Sequence, residues 1–259
     1  MTGMPNAVQV VDAGSPGPTL GRHTGFDALE QALIECAASE SRTVGADEEE
    51  VLFVLSGAGE LELAGERHAL GPEVGAHLLA GERYRLHSDG IEPLRLVSVR
   101  IPDCDPTDRD PRTTVVSRLE DQDTEAATTD REFRIIADAR RGLRAATHFV
   151  GYIPTVRAPE HFHTYDEVIY VLEGVGVFHA EGRDQALAPG SCIQLSARTV
   201  HCLENTGDDV MRIVAVFRPS GSPAAAYYPD GTPAYAGTPS ARPAPAPRGV
   251  EHSPKEEVV

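Results

Sequence analysis

The sequence predicts an all-β fold of two tandem antiparallel barrels, and three observations carry that expectation. Sliding the chain against itself by 117 residues lays EVLFVLSGAGELELAG, from Glu50, over EVIYVLEGVGVFHAEG, from Glu167. The register runs without a gap from Glu50 to Pro102 and gives 18 identities in 53 positions, among them Gly57/Gly174, Gly59/Gly176, Gly65/Gly182, Pro72/Pro189 and Arg95/Arg212. Within each copy, short runs rich in Val, Leu and Ile are broken by Gly or Pro every roughly 8–12 residues, the spacing of antiparallel strands. Helical periodicity is largely absent from both copies.

The repeat divides the chain into a first barrel over 22–102, a polar connector over 103–130, a second barrel over 131–219 and a tail over 220–259. FDALEQALIECAA (Phe26 to Ala38) has the propensity of a helix, but its partner LRAATHFVGYIPT (Leu143 to Thr155) reads as strand, so strand is expected in both. The connector, DCDPTDRDPRTTVVSRLEDQDTEAATTD, suits a segment crossing the surface. The tail holds eight of the twenty prolines, with disorder expected from about Thr238 onward. Before that point AAAYYPDGTPAY carries three tyrosines, enough apolar surface to pack as an arm on a neighbouring subunit instead of staying disordered.

Lys and Arg total 23 against 40 Asp and Glu, a formal net charge of −17. Such an excess repels phosphate backbones and anionic lipid, which argues against nucleic acid and membrane surfaces as partners. No run approaches the ~20 apolar residues of a membrane span, and the N-terminus lacks a basic region followed by an apolar one. A cytoplasmic location is expected, with a small molecule as partner and a monomer or homodimer as the assembly. The cysteines, Cys36, Cys104, Cys192 and Cys202, form no C-x-x-C pair and are expected to be reduced thiols.

The chemistry concentrates in the second copy. His161-Phe162-His163 places two imidazoles two residues apart, which the period of a strand puts on one face. Glu167 follows, then His201 and Asn205. Three neutral imidazoles and a carboxylate make a mixed N/O site suited to a first-row divalent ion, with open positions for water, substrate or dioxygen. By alternation Cys202 faces away from this site.

H-x-H-x3-E-x6-G at His161 to Gly174, Pro189-Gly190, and H-x3-N at His201 to Asn205 resemble the two signature motifs of the cupin superfamily. The resemblance covers about 22–219. It implies two tandem jelly-roll (double-stranded β-helix) barrels, His161, His163, Glu167 and His201 as metal ligands, and tight turns at Gly174 and Gly190. Thr155 stands where the family carries a glycine. One divalent ion per chain is implied, Mn or Fe first, with Zn, Ni or Co as alternatives.

The first copy is an internal control: at the same offset His161, His163 and His201 become Val44, Ala46 and Tyr84, and only Glu167 keeps a counterpart, Glu50. One ligand of four does not hold a metal tightly, so the first barrel is expected to serve packing or pocket closure. Alternation turns Ile169, Val171, Leu203 and Asn205 inward and Tyr170 outward, an apolar interior around a polar site. Tyr152, Arg157, Gln194 and Arg198 are polar candidates for substrate contact, and His179 reads as exposed. The functional expectation is a metal-dependent enzyme acting on a small polar or carboxylate-bearing metabolite, either a dioxygenase or a redox-neutral isomerase, decarboxylase, cyclase or ureide hydrolase. The alternative is a non-catalytic small-molecule-binding or sensing protein.

Overall fold

The computed structural model describes residues 7–104 and 112–235. It is almost wholly antiparallel strand, arranged as two jelly-roll barrels, each a large sheet facing a small one. In the first, the six strands Val116–Arg118, Val74–Leu78, Glu49–Ser56, Leu94–Ile101, Glu30–Cys36 and Gly17–Leu20 form the large sheet in that order. Ser39–Thr43, Arg83–Ser88, Gly59–Leu63 and Glu66–Leu70 form the small one. In the second barrel the large sheet runs Val8–Asp12, Ser191–Leu195, Asp166–Glu173, Met211–Arg218, Thr147–Ile153, Glu132–Ala137, Glu125–Ala126, opposite Arg183–Leu187, Gly176–Ala180 and His201–Asn205.

The 117-residue offset carries over element by element: Glu30–Cys36 maps onto Thr147–Ile153, and Glu49–Ser56 onto Asp166–Glu173. Phe26–Ala38 therefore contains a strand, in spite of its helical propensity. Pairing with Leu94–Ile101 on one side and Gly17–Leu20 on the other outweighs a local preference worth tenths of a kcal/mol per residue.

Alternation explains the near-continuous apolar runs in the central strands. Leu52 and Val54 point into the first barrel's core with Leu61, Leu86 and Leu96. Val51 points the other way and packs with Val97 and Val99 against Val168, Cys192 and Val216 of the second barrel. Phe53 does the same against Ile136, Val150 and Val214. The two large sheets thus lie face to face, and their central strands are buried on both sides. Burying each such side chain contributes on the order of 1.5–3 kcal/mol.

The barrels also exchange edges. Val8–Asp12 precedes the first barrel but pairs with Ser191–Leu195 of the second, while Val116–Arg118 precedes the second and pairs with the equivalent strand of the first, Val74–Leu78. Each large sheet has the same exposed edge covered by the other barrel's leading segment. The polar connector accordingly contains a strand, and Leu119 within it is buried. Its composition did not show this, because an edge strand needs backbone pairing more than apolar side chains.

Gly174 lies at φ +87°, and a Cβ there would approach Met211 Cα to 2.8 Å, so the tight turn admits no other residue without displacement. Gly190 likewise has φ +96°. Ala224–Tyr227 packs against the second barrel of its own chain. Tyr227 pairs with Phe162 through two backbone hydrogen bonds of 2.8 and 3.0 Å, and their rings stack at 5.4 Å. The stretch expected to be disordered, from Thr238, lies outside the described residues. The four cysteines are buried thiols not joined in disulfides, and no helix among the described residues is long and apolar enough to cross a membrane.

Candidate metal centre

His161 and His201 face each other across an isolated antiparallel bridge, with backbone hydrogen bonds of 3.0 and 2.8 Å in the two directions. His163, two residues on, lands beside them as the strand period requires. The ring centroids stand 4.5 Å (His161–His201), 5.0 Å (His161–His163) and 5.2 Å (His163–His201) apart. Each ring offers a nitrogen within 4.8 Å of the other two, in a partly open cavity of the second barrel.

The protonation pattern follows from the second partner of each ring. His161 Nδ1 lies 2.9 Å from the Pro159 carbonyl, His163 Nδ1 2.9 Å from that of Ala225, and His201 Nδ1 2.9 Å from that of Thr199. A carbonyl only accepts, so each Nδ1 carries the proton and donates, leaving Nε2 with a free lone pair. Burial favours the neutral rings: it lowers His161 to about 4, His163 to about 3 and His201 well below the usual histidine value. Three neutral imidazoles, each oriented by a backbone acceptor, are the donor set that a divalent ion takes, and they fit one.

Glu167, the second residue of the strand Asp166–Glu173, lines the same cavity, although its carboxylate is not within the close-set group of three. Among the described residues it has no hydrogen-bond or ion-pair partner. Burial pushes it up to about 8. Most of the remaining wall is apolar and aromatic, with Phe149, Ile169, Phe178, Leu203 and Ile213 lining the space beside the polar Thr128, Arg131 and Glu132, and Tyr165 stacks on His163 at 4.6 Å and on Phe217 at 3.8 Å.

The other sequence candidates fall outside this centre or at its margin. Gln194 is fully buried between the barrels and accepts from Thr24 Oγ1 at 2.6 Å. Arg157 lies 3.8 Å from Glu204 on the outer surface, and the Arg198 guanidinium sits over Phe162. Tyr152 borders the cavity while its ring faces Arg134 and Arg212. His179, expected to be exposed, is instead half-buried, with Asp184 at 2.7 Å and Glu204 at 2.9 Å holding its two nitrogens. Asn205 donates to the carbonyls of Ile153 and Asp209, which pins the end of its strand. Cys202 turns away and meets the Ala158 carbonyl.

Sequence reasoning missed three contributors: Arg131, Tyr165, and the Pro223–Tyr227 segment that supplies the His163 acceptor and part of the cavity wall. The three tyrosines of AAAYYPDGTPAY were the available signal for the last.

Residues 148–217 match the Cupin_2 family of cupin domains. These likenesses of motif, site and fold support the cupin superfamily. The cupin domain covers the three histidines and Glu167, and solved structures extend the similarity to both barrels. A putative glyoxylate-induced protein from Pseudomonas aeruginosa superposes with a TM-score of 0.64 at 18% identity, over 81% of this chain and 79% of its own. AerE from Microcystis aeruginosa gives 0.63 at 16%, over 78% and 96%. A mutant of Bacillus subtilis oxalate decarboxylase gives 0.62 at 12%, over 85% and 79%. At these identities the likeness is one of fold. No curated protein matches the sequence significantly.

Proposed function

We propose that this protein is a mononuclear metal-dependent enzyme acting on a small polar or carboxylate-bearing molecule, with one divalent ion held in the second barrel by His161, His163, Glu167 and His201. The observation that carries the reading is the buried histidine triad with every Nδ1 committed to a backbone carbonyl, which leaves three Nε2 lone pairs for a shared cation. Nothing in packing calls for that arrangement. Mn or Fe is the favoured ion, and Bacillus subtilis oxalate decarboxylase, which shares the fold, has Mn(II) centres.

When bound, the ion would supply a Lewis acid or a redox centre. The protein's own residues supply the rest: carbonyl-oriented rings, an apolar wall that limits water, and the 223–227 segment as a cover. The division that accompanies this reading is a first barrel over 22–102 without metal ligands, a connector over 103–130, and the metal-binding barrel over 131–219.

Elemental analysis of natively purified protein beside His161→Ala tests it. About one Mn or Fe per wild-type chain and almost none in the variant is expected. Wild-type protein that stays metal-free after incubation with Mn, Fe, Co, Ni and Zn would overturn the reading in favour of a metal-independent binding protein.

A further inference from the structure

Arg131 immediately precedes the strand Glu132–Ala137, whose Phe133 and Ile135 belong to the second barrel's core, and the same parity sends the Arg131 side chain inward. It lines the cavity with the three histidines and Glu167. Nη2 donates to the Leu203 carbonyl, while Nε is buried with no partner. Among the described residues no carboxylate pairs with it, whereas Arg42, Arg100, Arg112 and Arg140 each have one.

Glu167 lines the same cavity but does not pair with Arg131, and a guanidinium so enclosed without a paired carboxylate is costly. Burial lowers its pKa, and its charge also opposes protonation of His161, His163 and His201. An anionic ligand would supply the missing charge, and the planar guanidinium matches a carboxylate in two-point geometry. The cavity measures only about 80 Å³, and Phe133, Phe149, Ile169 and Ile213 form its apolar walls.

We propose that Arg131 anchors the carboxylate of the small molecule that enters this cavity, so that the site selects short organic acids over their uncharged analogues. The inference rests on the cavity being the substrate site of the enzyme proposed above, and it adds the residue and the charge by which substrate is chosen.

The test is calorimetric titration of the full chain with pyruvate and propionate, and with pyruvamide and propionamide as neutral counterparts, metal being counted in the same samples. The acids should bind and the amides should bind at least 10-fold more weakly. Arg131→Gln should weaken the acids at least 10-fold with metal content unchanged, and Arg131→Lys should recover part of the loss. Acids and amides binding alike, no acid binding at millimolar concentration, or Arg131→Gln binding acids as wild type does would each overturn the proposal. Should Arg131→Gln fail to fold, the acid–amide comparison on chelator-treated, metal-free wild type decides, because without the ion Arg131 is the cationic group left in the cavity to tell acid from amide. Arg131-dependent acid binding by a protein that takes up no metal would sink the metal-enzyme reading and leave this one standing.

Discussion

Glu50 and Glu167 occupy the same place in the two barrels, yet one is fully partnered and the other is alone. Glu50 has no exposed surface and accepts from Ser98 Oγ at 2.5 Å and from Tyr84 Oη at 3.0 Å, with Arg100 4.0 Å away. Tyr84 stands where the second barrel has His201, and its hydroxyl in turn accepts from Arg42 Nε at 3.0 Å. Glu167 is also buried, but its neighbours are histidines whose outer nitrogens are already committed to carbonyls. The first barrel has closed its inward carboxylate into a network of its own, while the second keeps a carboxylate and three lone pairs unsatisfied. Unmet polar capacity on one framework, and met capacity on the other, is what distinguishes a site from a scaffold here.

The largest expected effect breaks the second barrel alone. His163→Ala should take metal content from about one ion per chain to almost none, whereas Tyr84→Ala, at the His201-equivalent position, should leave it unchanged. Metal loss on Tyr84→Ala in protein that remains folded by circular dichroism would mean that the first barrel takes part in the site. A smaller effect reaches the site through its outer partners. Ending the chain after Ser222 removes the Ala225 carbonyl that orients His163, and loss of such a partner weakens metal binding by about 10–100-fold. Equilibrium dialysis against a metal buffer reads this directly, and unchanged affinity would mean that water replaces the carbonyl without cost.

A third comparison is made on metal-free protein. Tyr84→Phe removes the hydroxyl shared by Glu50 and Arg42 and should lower stability in urea by about 1–3 kcal/mol, since it leaves a buried carboxylate short of a donor. Glu167→Gln removes no partner, and should shift stability by less than about 1 kcal/mol or raise it. Equal losses from both would show that Glu167 has a partner in solution.

The same contrast explains what the sequence revealed. The repeat made the barrels legible, because Gly and Pro at fixed offsets mark turns that both copies must make. The histidines were legible because two residues along a strand return to one face. Arg131 was not, since its 117-residue counterpart is Gly14, outside the ungapped register, and it adjoins a connector whose charges looked like surface. The edge strand Val116–Arg118 was hidden for a related reason: its partner is the other barrel, and pairing between distant segments leaves little trace in local composition. His179 was misjudged because a surface imidazole between two carboxylates needs partners from two other strands, which chain order does not display.

The smallest expected effect concerns the interface, where the repeat is again unequal. His77 and His148 correspond to Gln194 and Gln31. The glutamines are satisfied by threonines, Gln31 by Thr19 at 3.0 Å and Gln194 by Thr24 at 2.6 Å. His77 Nε2 meets Glu49 at 3.0 Å, but the Nδ1 atoms of both histidines are buried without partners. His148 packs edge-on to Phe53 across the sheet interface, and burial, with the nearby His77 as the lesser cause, lowers it to about 3. The folded pKa lies below the unfolded value of about 6.5, so the unfolded chain binds this proton first as pH falls. His148's contribution is complete above pH 6.5 and is lost progressively as pH drops toward 3, by about 1.4 kcal/mol one unit below 6.5. Replacing His148 with the residue of its counterpart, His148→Gln, should flatten the wild-type stability curve by about that amount at pH 5.5. The buried triad adds its own acid sensitivity to both proteins, so the difference between the two urea-melt series isolates His148. Parallel curves would show that His148 gains a proton without penalty, through an acceptor for its Nδ1 at this interface.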